Sequence, residues 1–303
     1  MKPILKWVGG KTQIIDKLLP YFKKDFNNYH EIFLGGGSVL FAFLINIKKE
    51  LITISGTINA YDLNEPLIYV YKNIQSSPTE LYIEIQRYIN EFNKCTGTVK
   101  NRKPKTIEEA KASKESYYYW IRKEYNSLTA EEKKEIKGSA LFIFLNKTCF
   151  RGVFRVGPNG FNVPYGNYNS PEIINKDHLE EIHNLIQNVN FICADFSVAL
   201  TNIEDDDFIY MDPPYVPEKE TSFVGYTLNG FNKEEHIKLF NMCNKLNDEN
   251  KDFMMSNSDV TLVRENFTSE RYNIKSISCK RSINSKNPES KTNEVIITNY
   301  HLE

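Results

Sequence analysis

Several features are missing or scarce, and each absence narrows the reading. No apolar run approaches the ~18 residues of a membrane-spanning helix, so neither a helical membrane anchor nor a membrane partner is expected. The five cysteines (Cys95, Cys149, Cys193, Cys243, Cys279) include no Cys-x-x-Cys pair and read as reduced thiols. The five histidines form no ligand motif, so no zinc site and no metal cofactor are expected. No signal-peptide pattern opens the chain, since Met1-Lys2-Pro3-Ile4-Leu5-Lys6 runs straight into glycines; a cytoplasmic location is expected. Excess charge of one sign is also lacking. The net charge of −1 argues against a uniformly basic nucleic-acid coat.

What is present is a globular composition, 41% hydrophobic and 25% charged, in 303 residues. That length suits one large domain, or one domain carrying an insertion. The stretch around which the chain is organised is Asp207-Phe208-Ile209-Tyr210-Met211-Asp212-Pro213-Pro214-Tyr215. An apolar strand ends in a carboxylate, two prolines and an aromatic. Proline cannot continue a sheet ladder, so Asp212 falls at the carboxyl end of the strand, where open α/β sheets bind ligands. A carboxylate, rigid carbonyls beside the prolines and the flat face of Tyr215 suit an exocyclic amine on a planar ring.

Two glycine turns precede it. Lys6-Trp7-Val8-Gly9-Gly10-Lys11-Thr12 imitates a phosphate loop, but the Walker spacing needs glycine where Leu5 stands, which excludes that NTPase motif. Trp7 and Lys11 there suit a small zwitterion. Glu31-Ile32-Phe33-Leu34-Gly35-Gly36-Gly37-Ser38 reads as a strand, a tight turn and a helix start, which lets a cofactor approach the backbone at a helix N-terminus. A second strand then ends in Asp62, the place of a ribose-binding acid. Together these imply a nucleoside-containing cofactor.

Between residues 76 and 170 the pattern changes to amphipathic helices, and the local net charge is +6 against −7 elsewhere. No acidic residue lies between Glu135 and Glu172, while Lys137, Lys147, Arg151 and Arg155 are present. A Gly-Pro-Asn-Gly turn at 157–160 joins two short strands into a hairpin able to enter a major groove. Tyr117-Tyr118-Tyr119-Trp120, mid-helix, is expected to pack in a core and not to stack on bases. After Pro171 the βα pattern resumes with strands ending at Asp195-Phe196 and Asp212, a lid-like stretch from Val216 to Phe231, and a closing strand hairpin. The tally is about seven strands alternating with helices.

On these motifs the chain resembles the Dam-type (D12 class) DNA adenine-N6 methyltransferases, in the same order along nearly its whole length. Lys6–Lys11 is similar to the family's opening motif, Phe33–Ser38 to its cofactor loop, Asp212-Pro213-Pro214-Tyr215 to its catalytic tetrad, Phe161–Gly166 to its target-domain hairpin and Arg281-Ser282-Ile283 to its C-terminal signature. The resemblance implies a Rossmann-like seven-strand methyltransferase domain (1–75 and 171–303) with an inserted, mainly helical target-recognition domain (76–170). It implies S-adenosyl-L-methionine bound by Trp7, Lys11, Gly35, Gly36, Gly37, Asp62, Asp195, Phe196 and Asp212, without metal. It also implies an adenine flipped out of double-stranded DNA onto Asp212, Pro213, Pro214 and Tyr215. DNA contacts are expected from Lys147, Arg151, Arg155, Asn162, Pro164, Arg281 and Ser282. Arg151 stands where the GATC enzymes carry asparagine, so GATC-like and CATG-like palindromes are both admitted. A monomer and a cognate restriction endonuclease are expected. RNA or a protein glutamine is the alternative substrate, since related tetrads serve those amines.

Overall fold

A computed structural model describes residues 1–218, 231–280 and 291–301. Contacts divide the chain into two compact units, one of Met1–Gly10 with Asn64–Gln187 and one of Lys11–Leu63 with Asn188–Glu303. These divisions fall at 10, 63 and 187, whereas the sequence pattern placed its boundaries near 75 and 170.

The second unit is built on a sheet of seven strands: β1 (Tyr29–Glu31), β2 (Ile58–Asp62), β3 (Val189–Cys193), β4 (Phe208–Met211), β5 (Asp252–Ser258), β6 (Asn273–Lys280) and β7 (Lys291–Thr298). Their spatial order is β6-β7-β5-β4-β1-β2-β3. All neighbours run parallel except β7, which is antiparallel to both β5 and β6. The order reverses between β1 and β4, so the crevice outside their carboxyl ends is the switch point where such sheets bind ligands. Expected and observed architectures agree on a mixed α/β fold with a seven-strand, mostly parallel sheet.

Every residue of β4 is buried, as expected of a parallel strand covered on both faces. Its pleat sends Phe208 and Tyr210 to one side, against Phe22 at ring-centre distances of 5.3 and 5.5 Å. Ile209 and Met211 join the opposite cluster with Phe240, Phe253, Phe267 and Val295. Burying each such side chain contributes about 1.5–3 kcal/mol, which locks the register of the strand bearing the tetrad. Helix α1 (Ser38–Lys48) leaves the glycine turn directly, with Gly37 at its N-terminus in the left-handed conformation (φ 71°).

The other unit is helical: α2 (Glu65–Ser76), α3 (Pro78–Lys94), α4 (Lys114–Ser127), α5 (Ile136–Thr148) and α6 (Lys176–Leu185). In α3, Leu81, Ile85, Tyr88 and Phe92 form the buried stripe that helical spacing dictates. Caps fix the starts: the Asn64 side chain accepts from Leu67 N at 3.2 Å and Ser113 Oγ from Ser116 N at 3.1 Å. Tyr117, Tyr118 and Tyr119 of α4 are buried, as expected of core packing. The first ten residues belong to this unit because Lys6 N donates to Asn146 Oδ1 at 2.8 Å and Asn146 Nδ2 returns a bond to Lys6 O at 2.8 Å. Among the described residues, no helix is long and apolar enough to cross a membrane.

Candidate active site

The parallel strands bring carboxylates to one edge of the sheet: Glu31 ends β1, Asp62 ends β2 and Asp212 follows β4. Asp212 is held by Lys11, whose Nζ donates to Oδ2 at 2.7 Å and lies 2.6 Å from Oδ1. Oδ1 is itself buried and faces the same ammonium. The same ammonium sits 4.7 Å from the centre of the Tyr215 ring, and Tyr215 Oη donates to Glu294 Oε2 of β7 at 2.8 Å. Burial pushes the Asp212 carboxyl up to about 6; the Lys11 ammonium opposes the shift and the Glu294 charge adds to it. Asp212 is thus a carboxylate ion-paired with Lys11 beside an aromatic ring. That is the chemistry needed to accept a hydrogen from a ring-borne amine. Pro213 is buried and Pro214 half-buried, so the backbone that aims this pair is fixed.

Glu31 was not singled out in the sequence. It is only 2% exposed, takes a hydrogen bond from Tyr29 Oη at 2.8 Å, and burial pushes its carboxyl up to about 8. Burial thus favours its protonated form.

The glycine turn has the predicted shape. Gly35 (φ 50°) and Gly37 (φ 71°) adopt conformations that a side chain would strain. Gly35 N donates to Asp62 Oδ2 at 2.9 Å, so Asp62 ties the end of β2 to the turn. Asp195 caps the short helix Phe196–Ala199 through Ser197 N at 2.9 Å. Phe196 is buried, with Lys238 Nζ 5.0 Å above its ring and 3.7 Å from Asp195 Oδ1. A backbone turn free of Cβ atoms at a helix start, acids at successive strand ends and an adjacent aromatic fit a nucleoside attached to a charged amino-acid moiety. Lys238 is an addition to the residues nominated from sequence.

Trp7 belongs to the helical unit, where it stacks on Phe154 at 6.2 Å. In that unit Val156–Gly157 pairs with Gly160–Phe161 to form the predicted hairpin. Arg155 Nε donates to the exposed Asn162 at 2.7 Å, which orients the arginine. Pro164 is exposed, and its carbonyl accepts from Phe150 N at 2.8 Å. Arg151 is exposed with left-handed backbone (φ 57°), and its N–H donates to Tyr168 Oη at 3.0 Å. Phe150, not nominated from sequence, is 48% exposed beside it. Lys147 is half-buried, and burial lowers its ammonium to about 8 with Lys6 and Lys2 adding to the effect. Arg281, Ser282 and most of the expected lid lie outside the described residues. Of that lid, Val216 is gripped on both sides: its N–H donates to Asn257 Oδ1 at 3.1 Å and its carbonyl accepts from Ser258 Oγ at 2.5 Å. Among the described residues, no cluster of three or more His, Cys, Asp or Glu is placed to hold a metal.

The sheet order and the row of strand-end carboxylates are those of a methyltransferase fold. The chain belongs to the D12 class N6 adenine-specific DNA methyltransferases, whose profile matches residues 7–283. It is similar to the Type II methyltransferase M.MjaIII of Methanocaldococcus jannaschii, 36% identical over 310 residues and spanning 99% of each chain. The Type II methyltransferase M1.LlaDCHI of Lactococcus lactis subsp. cremoris is 31% identical, spanning 99% of this chain and 96% of its own. The DNA adenine methylase of Haemophilus influenzae is 29% identical, spanning 96% and 90%. The chain is thus an enzyme of DNA adenine methylation, and membership of a methyltransferase family implies S-adenosylmethionine as methyl donor.

Proposed function

We propose that this enzyme methylates the N6 amine of an adenine swung out of duplex DNA at a short palindromic site, GATC- or CATG-like. The observation that carries the reading is the Asp212 carboxylate at the end of β4, held by Lys11 beside the Tyr215 ring. A carboxylate oxygen has more than one lone pair, so one that faces Lys11 can still accept an amine hydrogen from an incoming base. Tyr215 stacks on the purine, and Asp212 with the Pro213 carbonyl holds both amine hydrogens, turning the nitrogen lone pair out of conjugation. Positioning and a preorganised charge environment supply the rate. Asp212 is the acceptor of a hydrogen bond and not an obligatory base, because the methylated ammonium is acidic enough to release its proton afterwards. When bound, S-adenosylmethionine supplies an electrophilic methyl. Gly35, Gly36 and Gly37 would admit it to the backbone, Asp62 would take ribose hydroxyls, and Asp195, Phe196 and Lys11 would complete its cradle within the sheet unit.

Residues 76–170 serve in this reading as the target-recognition domain. Arg155 and Asn162 on the hairpin read a base edge, with Arg151, Lys147, Pro164, Arg281 and Ser282 in supporting contacts. The Type II names of two relatives support a partner restriction endonuclease; a monomeric, cytoplasmic enzyme completes the reading. Mapping modified adenines in plasmid DNA from cells expressing the chain tests it. One methylated adenine per strand of a single palindrome is expected, and modification without a fixed sequence context would overturn it. A duplex carrying 2-aminopurine at the target position should brighten on binding; a silent probe would sink the extrusion step.

A further inference from the structure

We infer that Glu294 is a positioning residue of this active site: it anchors the hydroxyl end of Tyr215, the ring that Lys11 covers beside Asp212. The inference rests on the reading of Asp212 and Tyr215 as the base-holding pair. It starts from topology. β7 runs antiparallel beside β5, so Glu294 lies opposite Ser258 at the edge where the parallel strands end. From there its Oε2 accepts from Tyr215 Oη at 2.8 Å. One residue on, Val216 is held by Asn257 and Ser258 of β5. The tetrad is therefore held from the downstream side by two strand ends, and the Tyr215 ring is tied at its hydroxyl end. Lys11 stands over that ring and on Asp212, so Lys11 and Glu294 place opposite charges on the same pair. The titratable and charged groups facing Asp212 are Lys11, Glu31, Tyr210, Tyr215 and Glu294. Of these, Lys11 contacts Asp212 and Glu294 contacts Tyr215.

The anchor and the charge of Glu294 separate by substitution. Glu294→Gln keeps an acceptor for Tyr215 and removes the charge that raises Asp212. The carboxylate then persists to lower pH, and the acid limb of the kcat profile should move toward lower pH with little change at pH 8. Glu294→Ala removes the anchor as well. Loss of a hydrogen bond to a charged group corresponds to roughly ten- to a hundredfold in kcat, with KM for the cofactor within about twofold. In a Tyr215→Phe background the anchoring loss should vanish, since no hydroxyl remains to be held. The experiment is labelled methyl transfer to duplex DNA by the full chain across pH 5.5–8.5, for Glu294→Gln, Glu294→Ala, Tyr215→Phe and Tyr215→Phe/Glu294→Ala. A shifted limb in Glu294→Gln together with non-additive losses in the double variant supports the role. An unmoved limb, or additive losses, overturns it. Asp212→Ala run in parallel separates the two readings: full turnover there sinks the base-holding proposal, whereas the Tyr215–Glu294 coupling is read from the double variant alone.

Discussion

Replacing Lys11 by methionine should convert the active site into one that works only in alkali. The Lys11 side chain is 4% exposed, and its ammonium sits 2.6 Å from Oδ1 of Asp212, whose side chain is 17% exposed. Methionine retains the length of the side chain, so the packing is kept and the charge is lost. Breaking such a pair leaves an uncompensated carboxylate at a cost of about 3 kcal/mol or more. At about 1.4 kcal/mol per pKa unit this is roughly two units. Asp212, at about 6 with its partner present, would then need a pH of roughly 8 to be half ionised. At pH 7 the ionised fraction falls from about nine-tenths to about one-tenth, so transfer should drop about tenfold and recover by pH 9. The assay is initial-rate methyl transfer to duplex DNA from pH 5.5 to 9.5 at saturating cofactor. An acid limb at the same pH in both proteins would refute the argument. A uniform loss at every pH would instead assign Lys11 to binding alone.

Three further outcomes are expected. Asp62→Ala removes the acceptor for Gly35 N and the acid at the end of β2; cofactor affinity by calorimetry should fall ten- to a hundredfold, and an unchanged Kd would remove Asp62 from the site. Glu31 has its folded pKa raised, from 4.5 to about 8, so the native state holds its proton more tightly than the unfolded chain and stability falls as pH rises through that window. Glu31→Gln should therefore gain on the wild type by on the order of 2–4 kcal/mol between pH 5 and pH 8, read as a widening Tm difference; a constant difference contradicts the burial argument. Arg155→Ala frees Asn162 from its 2.7 Å partner and should relax discrimination between cognate and mismatched duplexes by ~1–3 kcal/mol, with equal relative rates counting against hairpin readout.

Much of the sheet unit is legible in the sequence because its signals are local. β4 ends where prolines forbid a ladder, Gly35–Gly37 mark a turn that needs left-handed backbone, and Asp62 closes the next strand within one βαβ unit. What stays hidden is long-range pairing. Lys11 reads as a ligand for a zwitterion, but in the fold its partner is Asp212, 201 residues away. Glu294 has no local signature at all; only the antiparallel insertion of β7 beside β5 carries it to Tyr215. Glu31 looks like the polar lead-in to a turn, and nothing in its neighbours reveals that the whole strand is buried. The ends of helix α5 (Ile136–Thr148) are hard to read because it is buried nearly all round and shows no amphipathic edge. The first ten residues join the helical unit through Asn146, a contact 140 residues distant that no motif announces.

The central claim is that Asp212 holds the amine of an extruded adenine, and one comparison tests it most directly. Asp212→Ala is assayed in parallel for cofactor affinity, duplex binding and methyl transfer. The account predicts cofactor and DNA binding within a few-fold of wild type and methyl transfer lower by at least roughly a hundredfold. Substantial turnover by that variant on duplex DNA would contradict it.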